Sequence, residues 1–383
     1  MKLYKILLFS IVLFGLYFYE ASRMFPVETS IQSSIIYPLC ILLVSILLKV
    51  QYGAIRNENI KKFSLFIWTS YLVVLLHSLF TPLPAKELFV SLMLPAIGVY
   101  LPYRFLSNGK NERVYMIGML LVYCLLTVFY YYNYQHNIFI NFDSQNNAAY
   151  TLLYFTPILL CSKYKLVRYI VLMATGVALL YSLKRSGLVA YIFALAAFLY
   201  VSFFVNESKK SKFIMLAVIC IGAFGCYEFF QTFFGDRGDM LLDRFTQLNK
   251  GDSSGRDEIY KTTIAMIMNG GAFDWLFGHG YNSLSHLSPE RLSAHNDYLE
   301  FLFDYGLFGF CALLLFVFLF SKYVYTLIKV RSNYAPSAIF AFVTILMNSF
   351  FSHVFFYEWY LLLISLFWGH INWATSEEMR AGY

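Results

Sequence analysis

Charge is what this chain has least of. Only 13% of its 383 residues are Asp, Glu, Lys or Arg, about half the share found in soluble domains, while 59% are hydrophobic and 20% aromatic. So few charges cannot clothe a water-exposed surface, which excludes an ordinary soluble protein and implies a polytopic membrane protein. Cysteine is scarce too: Cys40, Cys124, Cys161, Cys220, Cys226 and Cys311 all fall within apolar runs, so neither a disulfide framework nor a thiolate metal site is supported. Walker, Rossmann, paired-carboxylate and zinc spacings are missing. No linker rich in Pro, Gly or Ser and no internal repeat divides the chain.

What is present is a series of apolar runs, each long enough to cross about 30 Å of hydrocarbon. They cover 4–21, 34–51, 63–81, 86–106, 114–133, 146–162, 167–183, 186–205, 213–231, 297–321, 336–353 and 355–374. The expected fold is all-α, with about twelve transmembrane helices and one long outer loop. The domains are then 1–229 (nine spans), 230–296 (the loop, with short amphipathic helices) and 297–383 (three spans and a tail). With the N-terminus inside, alternate connections carry Lys49, Arg56, Lys61 and Lys62; Arg104, Lys110 and Arg113; Lys163, Lys165 and Arg168; Lys209, Lys210 and Lys212; and Lys322, Lys329 and Arg331. That pattern obeys the positive-inside rule and puts both termini in the cytoplasm. It also accounts for the net charge of +7 without nucleic acid. Met1 to Glu20 lacks a small-residue cleavage pattern and reads as a retained first span. Tyr130, Tyr131, Tyr132 and Tyr134 suit an interfacial aromatic belt, and Pro95 and Pro157 suit covered kinks.

The polar residues of the outer side concentrate between Phe230 and Ala294. Met240 to Leu248 and Arg256 to Met268 have helical amphipathic spacing, the second with Ser253 or Ser254 as N-cap, and Asp274 to Ser283 has the glycines of a tight turn. His295 closes the loop where the chain re-enters apolar sequence. A neutral imidazole there could take a proton from a hydroxyl nucleophile; the alternative is an interfacial histidine bonded to loop backbone. His279 and His286 are rivals in turn-like sequence. Lys184 and Arg185 place two positive charges at an outer hairpin tip, against the retention rule. Something anionic offsets them, or they snorkel to lipid phosphates. Arg256 opens a helix, where a guanidinium and free backbone donors suit phosphate oxygens, although Asp257 and Glu258 offer local partners. Arg244 and Arg291 are further cations with solvated-surface alternatives. Asp143, Gln145, Asn146, Asn147, His353 and Glu358 are other outer polar groups, suited to sugar hydroxyls or to caps and turns.

Three segments together resemble the O-antigen ligase and O-antigen polymerase superfamily. They are the Lys184-Arg185-Ser186-Gly187 hairpin, the Gly255-Arg256 step before an amphipathic helix, and His295-Asn296-Asp297-Tyr298-Leu299-Glu300 with Gly306 and Gly309 following. The resemblance implies a membrane fold like that of the C-type glycosyltransferases. It also implies transfer of an undecaprenyl-diphosphate-linked glycan, on the periplasmic side of a bacterial inner membrane, to a sugar hydroxyl. Arg185 and Arg256, with Lys184, would hold the diphosphate, and His295 would act as base or orient the acceptor. Asn296, Arg244 and Asn146 are the expected glycan contacts, and neither a metal nor another cofactor is called for. The acceptor is a lipid-linked repeat unit for a polymerase or lipid A-core for a ligase, and the Lys-Arg-Ser-Gly form resembles polymerases more. A chain-length regulator is the expected protein partner. A flippase for lipid-linked sugars is the alternative from another class, disfavoured because the ionisable groups gather on one side.

Overall fold

The computed structural model describes Gly98, Pro102, Leu106 and residues 112–135, 142–182, 184–206, 255–289 and 293–380. Among these, every regular element is a helix. They are α1 (Glu112–Gln135), α2 (Phe142–Leu160), α3 (Lys165–Ser182), α4 (Arg185–Asn206), α5 (Arg256–Asn269), α6 (Ala272–Phe277), α7 (Ser283–Leu287), α8 (Asp297–Lys329), α9 (Ala335–Phe351) and α10 (Glu358–Arg380). Four have the length and apolar character to cross a membrane: Glu112–Gln135, Lys165–Ser182, Arg185–Phe203 and Asp297–Lys329. The runs expected at 4–21, 34–51, 63–81 and 213–231, and nearly all of 86–106, lie outside the described residues, as do Met240 to Leu248, Arg244 and Arg291.

Between apolar helices in lipid, close packing replaces the hydrophobic effect as the cohesive force, and small residues permit it. Helices α4 and α9 share the most extensive interface. Each buries small side chains, Ala190 and Ala194 on α4 and Ala335, Ser337, Ala338 and Ala341 on α9, and Phe340 meets Tyr191 and Phe198 edge-on. Pro157 lies within α2, and Ser337 of α9 donates to its carbonyl at 2.6 Å, so the neighbouring helix covers the proline. The tyrosines of α1 depart from a simple belt. Tyr130 is buried and donates to Ala178 O at 3.0 Å, Tyr134 stacks edge-on against Tyr181, and Tyr132 alone of these is exposed. Helical periodicity turns consecutive residues about 100° apart, so one cluster serves both packing and interface.

Two sets of polar contacts mark the two ends of the bundle. At one end Lys163 pairs with Glu112 at 2.7 Å, and Glu378 accepts from Ser332 Oγ at 2.5 Å and Asn333 N at 2.9 Å. At the other lie Asn147, the Lys184 hairpin, the loop helices and the α9–α10 connection, tied by Tyr150 to Ser186, Tyr360 to Asn147 and Tyr260 to Phe350.

Helix α8 is bent. Gly306 has φ 61 and ψ −161 within it, a conformation open essentially only to glycine. An unbroken helix of this length would be about 50 Å, far more than the hydrocarbon requires, whereas Leu307 to Lys329 alone covers about 35 Å. The expected span of 297–321 falls within this helix, and the bend divides it into a leading segment, Asp297 to Tyr305, and a remainder that is itself of membrane length. The bend frees carbonyls that an unbroken helix would satisfy. His279 N donates to Phe303 O at 3.1 Å and Gly280 N to Asp304 O at 2.7 Å, while Asp304 Oδ1 accepts from Ser283 Oγ and Leu284 N. The loop is thus docked through its backbone. Ile267, Leu284, Ala294 and Phe303 form a small core beneath it, with Trp275, Leu299 and Leu302 around them.

Candidate functional site

The leading segment of α8 starts from a cap. Asn296 Oδ1 accepts from Tyr298 N at 3.0 Å and Leu299 N at 3.2 Å, the usual work of an Asn at this position. His295, immediately before it, has φ 51, a left-handed conformation that is uncommon outside glycine. The capped turn and the buried Ala294 hold that conformation and present the half-buried imidazole at the end of the bundle.

Three elements distant in sequence meet around it. From the α3–α4 hairpin, Lys184 Nζ lies over the Tyr150 ring at 5.6 Å from its centroid, within cation–π range, and the Tyr150 hydroxyl bonds Ser186 Oγ at 2.8 Å. Gly187 allows this: a Cβ there would meet the Tyr150 ring at 2.7 Å. From the loop, Arg256 is the first residue of α5. Its N-cap is Gly255, φ 77, with no side-chain cap bond, in place of the expected Ser253 or Ser254. From the α9–α10 connection comes His353, whose ring centroid is 4.7 Å from that of His295.

The electrostatics follow from this assembly. Burial first, then the charges of His353, Lys184 and Arg256, hold the His295 pKa down to about 3. The imidazole is therefore neutral at physiological pH, within a cationic surround. Arg256 also lies within electrostatic reach of the Tyr150 hydroxyl. Arg185, half-buried at the start of α4, is not among the charges acting most strongly on His295.

His353 is fully enclosed. Its Nδ1 is 3.0 Å from Glu300 Oε2, an ion-pair distance but off the line of a well-aligned hydrogen bond, and its Nε2 meets Ser293 Oγ at 2.6 Å. Burial alone would push His353 down, but Glu300 and then Asp297 outweigh it and the net direction is up. Asp297, Glu300 and His353 bring ligand-type atoms within 4.8 Å of one another. Asp297 accepts Val354 N through both oxygens at 3.1 and 3.0 Å and Glu300 Oε2 pairs with His353, while Glu300 Oε1 is buried without a hydrogen-bond partner. We read the cluster as a buried ion pair that joins α8 to the α9–α10 connection.

A raised histidine stabilises the fold most where it is protonated, so this pair contributes fully below the ordinary histidine value of about 6.5 and is lost as pH climbs through the raised one. Thermal unfolding in detergent should therefore show His353→Gln well below wild type at about pH 6, with the gap closing toward about pH 9. A gap independent of pH would contradict the assignment.

The rival histidines lie elsewhere. His279 sits 3.7 Å from Asp274 and packs on Phe303 at 4.5 Å, and His286 is exposed on α7. The segment expected as a tight turn is helical as far as Phe277, and Gly278 to Asn282 make the turn. Asn146 lies in the first turns of α2. The partnership of His353 with Glu300 was not foreseen: both residues are visible in the sequence, yet nothing local joins positions 53 apart.

The comparison with known families now bears on this site. Residues 169–314 match the family model described as O-antigen ligase. That segment is similar to an O-antigen ligase domain. No curated protein matches the chain. The matched segment begins in α3 and ends beyond the bend of α8, so it takes in Lys184, Arg185, Arg256 and His295. His353 lies beyond it. Members of the O-antigen ligase and polymerase family are lipid-linked glycan transferases.

Proposed function

We propose that the protein is an undecaprenyl-diphosphate-dependent glycosyltransferase that polymerises O-antigen or capsular repeat units on the periplasmic face of the inner membrane. The observation that carries this reading is the convergence of Lys184 and Arg256 on a neutral His295. Glycosyl transfer from such a donor breaks the bond between the anomeric carbon and the diphosphate oxygen and forms one to the acceptor oxygen. The acceptor's proton goes to His295, and the diphosphate leaves as an anion. A leaving group of this kind needs fixed positive charge more than a proton, and an acceptor hydroxyl needs a base. Lys184 and Arg256 supply the first, with Arg185 beside them at the hairpin, and His295 supplies the second. A bound diphosphate also offsets the positive charges that, after burial, hold His295 down, so its basicity rises when the donor is in place.

The topology read from the basic residues belongs to this proposal: both termini cytoplasmic, twelve spans, a periplasmic subdomain over 230–296 and the site at the outer end. Arg244, Asn146 and Asn296 remain the glycan contacts this reading expects, and Asn296 also caps α8. Transfer to lipid A-core, the ligase reaction, uses the same chemistry with another acceptor. A flippase makes no use of a neutral base beside fixed cations.

Purified protein in liposomes, given undecaprenyl-diphosphate-linked repeat units, should produce a ladder of longer lipid-linked glycans. Addition only when lipid A-core is supplied would make it a ligase. Movement of donor across the bilayer with no new glycosidic bond would overturn the proposal.

A further inference from the structure

Beside His295 lies a second histidine to which the reaction as described assigns nothing. His353 reaches the site from the connection between α9 and α10, outside the segment that matches the O-antigen ligase domain. It is 5% exposed, and Glu300, 2% exposed, lies 3.0 Å from its Nδ1. Its Nε2 meets Ser293 Oγ at 2.6 Å, two residues before His295, and the two imidazole rings are 4.7 Å apart, tilted by 45°. Carboxylate, imidazole and hydroxyl thus form one line from the first turn of α8 to the strand of chain that carries His295.

We infer that Glu300 and His353 are positioning residues for His295: Glu300 holds the His353 ring and its positive charge in place, and that ring fixes both the seat of the His295 imidazole and the field it experiences. This rests on His295 being the base of the proposed reaction. Two features support it independently. His295 has a left-handed backbone, φ 51, which persists only where the surroundings over-determine it, and the Ser293 bond to His353 is one such restraint. A buried imidazole also keeps its proton only beside a carboxylate, and Glu300 is the nearer of the two here.

The groups that face this pair come from every packed element. From α8 there are Asp297 and Glu300; from the hairpin, Lys184; from α5, Arg256; from the connection itself, Tyr357, whose ring centroid is 6.0 Å from that of His353. Of these, Lys184, Arg256 and charged His353 disfavour a proton on His295, and Glu300 acts on His295 through His353.

That arrangement has an unusual signature. Replacing His353 by Gln removes a positive charge, so His295 gains proton affinity, and the acid limb of the kcat profile moves to higher pH by about one unit. Replacing Glu300 by Gln removes a negative charge. If that charge acted on His295 directly, the limb would move to lower pH. Acting through His353, which loses its proton once the carboxylate is gone, it moves the limb up as well. The experiment measures kcat from about pH 4 to about pH 9, with saturating lipid-linked donor, for full-length wild type, His353→Gln, Glu300→Gln and the double variant.

Expected are upward shifts in both single variants and no further shift in the double one. A limb below the measured range in wild type should rise into it in the variants. Unmoved limbs, or limbs that move in opposite directions, would overturn the inference even if rates fall, because lost packing lowers kcat without displacing the limb. His295→Ala is run alongside: if it retains full activity, the reading of His295 as base fails, whereas an inactive His295→Ala with unmoved limbs in the other variants removes only the role of Glu300 and His353.

Discussion

Arg256→Ala should lower glycan transfer by about 100- to 1,000-fold, the usual cost of removing one preorganised group that stabilises developing negative charge. Membrane insertion and thermal stability should be unchanged, because Arg256 is a half-buried first residue of α5 whose helix is anchored elsewhere, through Thr263 and Ile267. The lysine variant is the sharper probe. A guanidinium grips two phosphate oxygens through parallel hydrogen bonds, whereas an ammonium is a point charge. Arg256→Lys should therefore recover only a small part of the activity. Near-normal transfer by it would mean that charge alone matters, and near-normal transfer by Arg256→Ala would remove Arg256 from the diphosphate site. Measured on the same liposome assay, Lys184→Ala should be intermediate, since its ammonium is shared with the Tyr150 ring.

The second large effect lies at the bend of α8. Gly306→Ala places a Cβ 2.5 Å from the Leu276 carbonyl carbon at φ 61, and Gly278→Ala places one 2.4 Å from the Asp304 carbonyl at φ 73. Both neighbours are backbone and cannot swing aside. Strain of about 1–3 kcal/mol adds to overpacking of about 1–3 kcal/mol, enough to separate the loop from the helix. Each variant should show accelerated proteolysis within the loop and lose transfer activity. Gly271→Ala is the control: its Cβ would meet nothing closer than Asp274 Oδ2 at 3.5 Å, and it should shift stability by less than about 0.5 kcal/mol. Normal protease resistance in Gly306→Ala would show that the bend is dispensable.

These two experiments probe different levels of the same molecule. In the proposed reaction Arg256 acts on substrate directly, while Gly306 acts on geometry: it sets the leading segment of α8 apart from the membrane-length remainder and exposes the carbonyls of Phe303 and Asp304, to which the loop attaches. A site assembled from a hairpin, a loop helix and an interhelical connection is only as well defined as that attachment. The small core of Ile267, Leu284, Ala294 and Phe303 reinforces it.

Much of the site's raw material was legible in the chain. Hydropathy placed α1, α3 and α4 to within a few residues, because apolar length against bilayer thickness is a one-dimensional property. Lys184 and His295 stood out for a similar reason, each an ionisable group at the edge of an apolar run, and Arg256 stood out as the residue that opens an amphipathic helix. The errors were equally systematic. The bend within α8 was not foreseen because an apolar run does not register a single glycine with positive φ. The α1 tyrosines were taken together as a belt although helical rotation sends Tyr130 inward and Tyr132 outward. The Ser cap of α5 was expected from composition, yet Gly255 takes that place by backbone conformation.

By itself, then, the sequence determined an all-helical membrane protein, the ends of several helices, and a cationic, histidine-bearing edge at the end of the loop. Only the tertiary structure decided that Lys184 and Arg256 both act on His295, that His353 stands against it, and that Glu300 keeps His353 company. Hydropathy and capping are settled by neighbours along the chain. The field at an imidazole is settled by whatever folding brings within a few ångströms, and Glu300 and His353 meet only because α8, bent at Gly306, packs against α9.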